Sequence, residues 1–307
     1  MWKKTVIQTG AAVLALTVSA SLAGVAEAAP RPPQPKPAYV ALGDSYAAGT
    51  GAGSYITTDG TSCHRSLLSY AGRIAANSNL ALNLQACAGA VTSDVTALQL
   101  GPLSSSTAYV TVTIGGNDIG FADILSTCLG TSEISCLAAV SLAESKATNE
   151  LPAKLVSVFS AVKAKAGNAK IVATNYPRLF NGVDCSLLTS FTSEEMTRLN
   201  AGADTLSGVI RDAATASNIG YVDVRTPFVG HAVCSSAAWI NNASLFTQFE
   251  SFHPNADGQR YGYTPGVSSA LGTTNTKPGK GASSVTTGGQ TSTDTRRGEV
   301  RVSTARG

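Results

Sequence analysis

From Tyr39 onward, short runs rich in apolar and β-branched residues alternate with longer helix-like stretches, and this alternation limits the fold more than any other feature. The strand-like runs are residues 39–42, 82–87, 109–114, 170–175 and 221–224. The helix-like stretches are 69–77, 93–100, 142–166 and 193–217. Thr192 or Ser193 is the expected N-cap of the last of these, with Glu194 and Glu195 in its first turn. Pro152 lies inside the 142–166 stretch, where a proline removes an amide donor and predicts a break or kink. Strand–helix alternation at this period implies an α/β domain whose parallel sheet is covered on both faces. Apolar residues make up 43% of the chain and charged residues 13%, so a large core can be buried. One domain is expected, over residues 38–271.

The two ends read differently. Lys3 and Lys4 precede an apolar run at 11–25, and Ala26-Glu27-Ala28 follows as an A-x-A cleavage pattern. Residues 1–28 are therefore expected to be a signal peptide cleaved near Ala28, which makes the mature protein secreted. The competing reading, a membrane anchor, is weakened by the shortness of the run and by its Ser and Gly residues, so no stable membrane insertion is expected. Residues 29–37 carry Pro30, Pro32, Pro33, Pro35 and Pro37 and read as an extended spacer. Residues 272–307 lose hydrophobic periodicity and read as a disordered Thr/Gly/Ser/Arg-rich tail. A net charge of +3 with scattered basic residues argues against a nucleic-acid partner. A monomer is the default expectation.

Six cysteines, Cys63, Cys87, Cys128, Cys136, Cys185 and Cys234, suit an exported chain with three disulfides. Six allow 15 pairings, and spacing alone does not choose among them, although Cys128 and Cys136 are close enough to close a local loop. No C-x-x-C occurs and the three histidines are not paired at ligand spacing, so neither a metal nor any other cofactor is expected.

An open parallel sheet places its site outside the carboxyl ends of its strands. Gly43-Asp44-Ser45 follows the first strand, Cys87-Ala88-Gly89 the second and Gly115-Gly116-Asn117-Asp118 the third. Glu250-Ser251-Phe252-His253-Pro254 precedes the last helix. Together these supply a nucleophile, a backbone N–H donor, a side-chain amide donor and a base, the parts acyl transfer requires. A serine hydroxyl is a poor nucleophile until a base takes its proton, and the imidazole pKa suits that task. Gly89 lets the backbone approach a substrate with no Cβ in the way.

Structural roles compete for several of these residues. Ser45 alone would read as a helix cap, and Asn117 as a turn residue. Asp44, beside the nucleophile, is expected to hold its loop through local hydrogen bonds, and Asp118 to be structural. His64 and His231 read as loop residues. Residues 49–53 (Gly-Thr-Gly-Ala-Gly) imitate a dinucleotide fingerprint but have Ser54 where its third glycine belongs, and read as a mobile loop beside the nucleophile. Ser160 and Lys163 match S-x-x-K without its partner motifs, and no G-x-S-x-G elbow occurs.

The blocks Gly43-Asp44-Ser45, Gly115-Gly116-Asn117-Asp118 and His253-Pro254, in this order across the whole expected domain, resemble those of the GDSL or SGNH hydrolases. The resemblance is to the secreted bacterial lipase/esterase branch with three disulfides. It implies a three-layer α/β/α fold around a central parallel five-stranded sheet of flavodoxin-like type. It also implies Ser45 as nucleophile, His253 as base, and the Ser45 and Gly89 amides with Asn117 as oxyanion hole. The implied disulfides are Cys63–Cys87, Cys128–Cys136 and Cys185–Cys234. One departure stands out: many members carry Asp three residues before the histidine, where this chain has Glu250. Either Glu250 is the acid that orients His253, or a main-chain carbonyl takes its place. The implied activity is hydrolysis of carboxylic esters, of acyl lipids or small acyl esters, through an acyl-Ser45 intermediate. A carbohydrate deacetylase on the same fold is the alternative, and a non-catalytic wall-binding module is disfavoured by the intact set of reacting groups.

Overall fold

The computed structural model describes residues 2, 34–130 and 132–273. The signal-peptide segment apart from Trp2, the spacer as far as Pro33 and the tail from residue 274 lie outside the described residues. Met1–Pro35 and Lys36–Gly307 form separate units. In the first, the described residues Trp2, Gln34 and Pro35 are exposed. The second carries every named element.

Five strands, β1 (Ala38–Gly43), β2 (Ala81–Leu84), β3 (Thr107–Thr113), β4 (Lys170–Thr174) and β5 (Gly220–Val222), form one sheet in the order β2-β1-β3-β4-β5. All four pairings are parallel, with Val40 opposite Val110 and Val110 opposite Ile171. The three central strands are buried on both faces, which is why they read as nearly continuous apolar runs. Their threonines are buried but satisfied. Thr111 bonds the Tyr39 hydroxyl at 2.9 Å, and Thr113 bonds Tyr70 at 3.0 Å and Thr174 at 2.6 Å.

The helices are α1 (Ser45–Ala48), α2 (Tyr70–Ser78), α3 (Thr92–Asp94), α4 (Phe121–Gly130), α5 (Glu133–Asn149), α6 (Leu151–Lys165), α7 (Ser193–Ala216) and α8 (Thr264–Leu271). Helix α3 runs on into a π-helical turn at Val95–Gln99, and another π-helical turn, Gly258–Tyr263, leads into α8. Helices α2 and α8 pack together on one side of the sheet. On the other, α6 packs on α3 and α7, and α5 on α4, α6 and α7. This is the three-layer arrangement.

Element ends differ from the sequence expectation in instructive ways. The 82–87 strand stops at Leu84, because the Gln85 and Ala86 amides both turn to the Ala41 carbonyl and the Cys87 amide reaches Gly43. The 142–166 stretch belongs to two helices that meet at Glu150, and α5 starts earlier, at Glu133. Pro152 sits in the first turn of α6, where its missing N–H breaks no helical hydrogen bond. Thr192 is the cap of α7 and closes a capping box: its hydroxyl accepts from the Glu195 amide at 3.2 Å and Glu195 accepts from the Thr192 amide at 2.9 Å. Helix α4 had no counterpart in the sequence reading.

The strand order reverses between β1 and β3, since β2 lies outside β1 and the later strands outside β3. Loops leaving two such strands on opposite sides open a crevice at their carboxyl ends, the usual binding position in open α/β sheets. Ser45 follows β1 and Asn117 follows β3.

Candidate active site

The turn after β1 is held from every side. Gly43 has φ 128°, and a Cβ there would lie 2.0 Å from the Thr113 carbonyl oxygen, so only glycine fits. The Gln99 side chain bonds both backbone groups of Gly43, accepting from N at 2.7 Å and donating to O at 2.9 Å. Asp44, rather than Ser45, caps α1: its carboxylate accepts from the Tyr46 amide at 3.0 Å and from the Tyr176 hydroxyl at 2.5 Å. Ser45 is thereby the first helical residue of α1, with its amide at the helix N-terminus.

His253 arrives from the other end of the chain. Its strand-like segment is clamped to residues 240–241: the Asn241 amide donates to the His253 carbonyl at 2.9 Å and the Phe252 amide to Asn241 at 3.0 Å. Phe252 adopts a left-handed backbone (φ 61°), a cost of about 1–3 kcal/mol for a bulky residue. Its carbonyl accepts from the Tyr46 hydroxyl at 2.7 Å, tying this segment to α1. The imidazole Nε2 lies 2.8 Å from Ser45 Oγ, and Nδ1 lies 2.9 Å from the Ser251 carbonyl oxygen. A carbonyl only accepts, so Nδ1 carries the proton and Nε2 is left to accept from the Ser45 hydroxyl.

Glu250 does not meet the imidazole. Its carboxylate accepts from the Tyr55 hydroxyl, which in turn accepts from the Gly51 amide at 3.0 Å. Of the two candidates for orienting His253, the main-chain carbonyl occupies the position and Glu250 acts only as a nearby charge. Burial pulls the His253 pKa down to about 4; the Ser251 hydrogen bond and the Glu250 charge oppose this, while His64 adds to it. Burial pushes the Asp44 carboxyl the other way, up to about 7, against the donors Tyr176, Tyr46 and the Ala47 amide.

Asn117 Nδ2 donates to the Ala90 carbonyl at 2.9 Å, which fixes the amide and leaves its second N–H for another acceptor. The neighbouring Gly116 amide donates to the Tyr176 hydroxyl at 3.1 Å. Asp118 is structural, accepting from the Thr92 amide at 3.0 Å and hydroxyl at 2.6 Å. Gly89 has φ 80° and open space where a Cβ would stand.

The other sequence candidates make no hydrogen bond to the Ser45 or His253 side chain. His64 stacks on Phe249 at 4.1 Å, and His231 on Trp239 at 3.6 Å. Ser160 and Lys163 are on α6, with Lys163 Nζ bonded to the Ser217 carbonyl. The 49–53 loop, expected to be mobile, is largely buried and bonded: Asn241 Nδ2 donates to the Gly51 carbonyl at 2.9 Å, and a Cβ on Gly51 would lie 2.8 Å from that of His253.

The sequence profile of the GDSL-like lipase/acylhydrolase family matches residues 41–261. Lipase 1 of Streptomyces coelicolor is 42% identical over 259 residues, covering 84% of this chain and 95% of that protein. The chain belongs to the GDSL-like lipase/acylhydrolase family. Two solved structures of similar proteins share its fold. Phospholipase A1 from Streptomyces albidoflavus superposes with a TM-score of 0.73 at 42% identity, covering 76% of this chain and 99% of that one. An extracellular lipase from Streptomyces rimosus gives 0.72 at 41%, covering 76% and 99%.

In this GDSL-family chain the disulfides are Cys63–Cys87, Cys128–Cys136 and Cys185–Cys234, the pairs the resemblance implies. The first braces the turn that carries Gly89, where the Ala88 amide donates to the Cys63 carbonyl and the Ala90 amide to the Cys87 carbonyl. Among the described residues no cluster of His, Cys, Asp or Glu is placed to hold a metal. A cavity open at its mouth extends from Ser45, Asn117 and His253 between α4, α5 and α7. Its walls are chiefly apolar, with Ile119, Phe121, Ile124, Val140, Leu199 and Leu206 prominent.

A main-chain carbonyl at the imidazole was one of the two expectations, without its residue, Ser251, being named; Tyr176, Gln99 and Asn241, which also build the site, were not anticipated. Only Ser251 lay inside a recognised motif. The others are single side chains far away in sequence, and nothing in their local pattern marks them.

Proposed function

We propose that Ser45 and His253 are the catalytic dyad of a secreted esterase or lipase that works through an acyl-Ser45 intermediate. As a member of its family, the chain is a carboxylic ester hydrolase. The observation that carries the dyad is the pair of distances at His253, 2.8 Å from Nε2 to Ser45 Oγ and 2.9 Å from Nδ1 to the Ser251 carbonyl. Nε2 takes the Ser45 proton as Oγ attacks the ester carbonyl carbon. The oxyanion that forms is met by the Ser45 amide, the Gly89 amide and Asn117 Nδ2, donors whose loops are already fixed. Collapse expels the alcohol oxygen, which takes the proton from Nε2. Water then gives a proton to Nε2 and attacks the acyl carbon, and Ser45 recovers its proton as the acid leaves. The Ser251 carbonyl dipole steadies the imidazolium in each half-reaction.

The chiefly apolar lining of the cavity beside Ser45, supplied by α4, α5 and α7, favours an acyl chain of a lipid over an acetyl group on a carbohydrate. Relatives described as lipases and a phospholipase A1 support the same substrate class. Export with cleavage near Ala28 is supported by the N-terminal pattern and by three disulfides, which persist in oxidising compartments. No helix among the described residues is long and apolar enough to cross a membrane. A domain bounded at 38–271 agrees with the first strand and the last helix, and a monomer with no nucleic-acid partner completes the reading.

Hydrolysis of a nitrophenyl ester series from acetyl to palmitoyl tests it. Activity should peak beyond acetyl, and Ser45→Ala should lose at least about a thousandfold. An acetyl maximum would move the assignment to a deacetylase, and an active Ser45→Ala would remove the dyad.

A further inference from the structure

We propose that the loops at 181–191 and 242–250 form an apolar rim without cations that seats the enzyme on a zwitterionic lipid surface. The inference rests on the esterase reading above and names the physical form in which the substrate is met.

Leu187 and Phe246 are essentially fully exposed, at 102% and 98%, and Val183, Leu188, Leu245 and Phe249 are exposed beside them in sequence. Large apolar side chains held out into water on both of two joined loops mark a surface with a partner. The loops rise from one foundation. The Cys185–Cys234 disulfide joins the first loop to the segment leading into the second, Asn181 Nδ2 bonds Ser235 Oγ at 3.2 Å, and Asn242 Nδ2 reaches Cys185 Sγ at 3.3 Å. Beneath them Phe180 packs on Phe191 at 4.8 Å, and Phe252 on both at 6.1 Å. Phe252 is the residue before His253, so the rim and the catalytic base share their support.

Charge selects the partner. Neither loop contains a lysine or an arginine, and each contains one carboxylate. Asp184 is used up within its loop by the Ser186 and Phe191 amides and the Thr189 hydroxyl, and Glu250 by Tyr55. Such a rim has no cations for anionic headgroups, and its two carboxylates already have donors within the protein. It offers apolar area alone, which inserts at the boundary between headgroups and acyl chains of a net-neutral bilayer or micelle. Binding of this kind is insensitive to salt, unlike electrostatic attachment.

The test uses the full secreted chain and vesicles of phosphatidylcholine. Sedimentation with vesicles is measured in a Ser45→Ala background, so that lipid is not consumed, with and without Leu187→Ser and Phe246→Ser. Turnover of soluble nitrophenyl butyrate is measured in parallel with Ser45 intact. The expected result is vesicle binding by the parent at low and high salt alike, reduced at least about fivefold by the two serines, with soluble-ester turnover unchanged. Equal binding by the double variant, no binding by the parent, or binding that requires anionic lipid and falls with salt would each overturn the rim. So would a dimer of the parent that the two serines dissociate, since a second copy would then be the partner. Failure of the parent on the soluble ester is a separate result that strikes the esterase reading, because that assay involves no surface.

Discussion

His253 holds its proton on the nitrogen that faces a carbonyl, and this choice makes a carboxylate unnecessary for orienting the ring. Glu250→Gln should therefore keep kcat/KM on a soluble ester within about fivefold, where loss of a true triad acid costs about ten-thousandfold. Removing the Glu250 charge also removes an influence that raises the His253 pKa, so the acid limb of the kcat/KM profile should shift to lower pH. Two of the perturbed groups of the site, His253 and Asp44, also act on stability with opposite signs. His253 is held near 4 against about 6.5 unfolded, so its contribution is present above pH 6.5 and lost as pH falls towards 4. Asp44 is held near 7 against 3.8, so its contribution is present below 3.8 and lost as pH rises through 7. Between these limits the slopes oppose each other. Melting temperature against pH should show this: Asp44→Asn should make stability rise from pH 4 to 6.5, and His253→Gln should make it fall from pH 4 to 7. Parallel profiles in all three proteins would reject the assignment. Ser45, Asn117 and His253 were legible as candidates because each lies in a short motif beside a strand end or before the last helix. The role of Glu250 was not legible, because sequence spacing does not say which way a side chain leaves a turn.

At the scale of elements, Tyr176 couples two pieces of the site. Its hydroxyl donates to Asp44, the cap of α1, and accepts from Gly116, in the loop that carries Asn117. Its ring packs edge-on against Tyr46 at 5.0 Å, a contact that phenylalanine retains. Tyr176→Phe should lower kcat about tenfold with KM within about twofold, since it loosens the proposed oxyanion donors without emptying the cavity. An equal fall in KM and kcat, or no change, would deny the coupling. Strands were readable because a sheet buried on both faces needs continuous apolar runs, and the α5–α6 junction because Pro152 has few places in a helix. Helix α4 escaped because it buries few residues, only Ile124, Leu125 and Cys128, and so shows little apolar periodicity. The 85–87 segment reads as strand by composition, yet its amides turn to Ala41 and Gly43 and end the ladder.

Across the whole molecule, residues 208 positions apart meet within hydrogen-bonding distance, and the Cys63–Cys87 disulfide braces the turn that carries Gly89. Cys63 and Cys87 close a loop with a separation of 24, worth about 3 kcal/mol in the unfolded chain. The Cys63→Ala and Cys87→Ala double variant should lose about that much in denaturant unfolding. It should also lose turnover beyond what the remaining folded fraction explains, because Gly89 follows two residues after Cys87. Full turnover per folded molecule would make the bridge purely stabilising. The sequence by itself determined the parallel α/β class, the order of the reacting blocks and their positions beside strand ends and before the last helix, because these depend on local periodicity and on the rule that open sheets react at their carboxyl ends. Only the tertiary structure decided that a carbonyl rather than Glu250 orients His253, that Asp44 is the cap, and that Tyr176, Gln99 and Asn241 hold the turns. The first two rest on short-range hydrogen bonds whose geometry depends on how each turn is held, and the others on hydrogen bonds between residues 56 to 190 positions apart, whose partners are chosen by packing and leave no trace in local pattern.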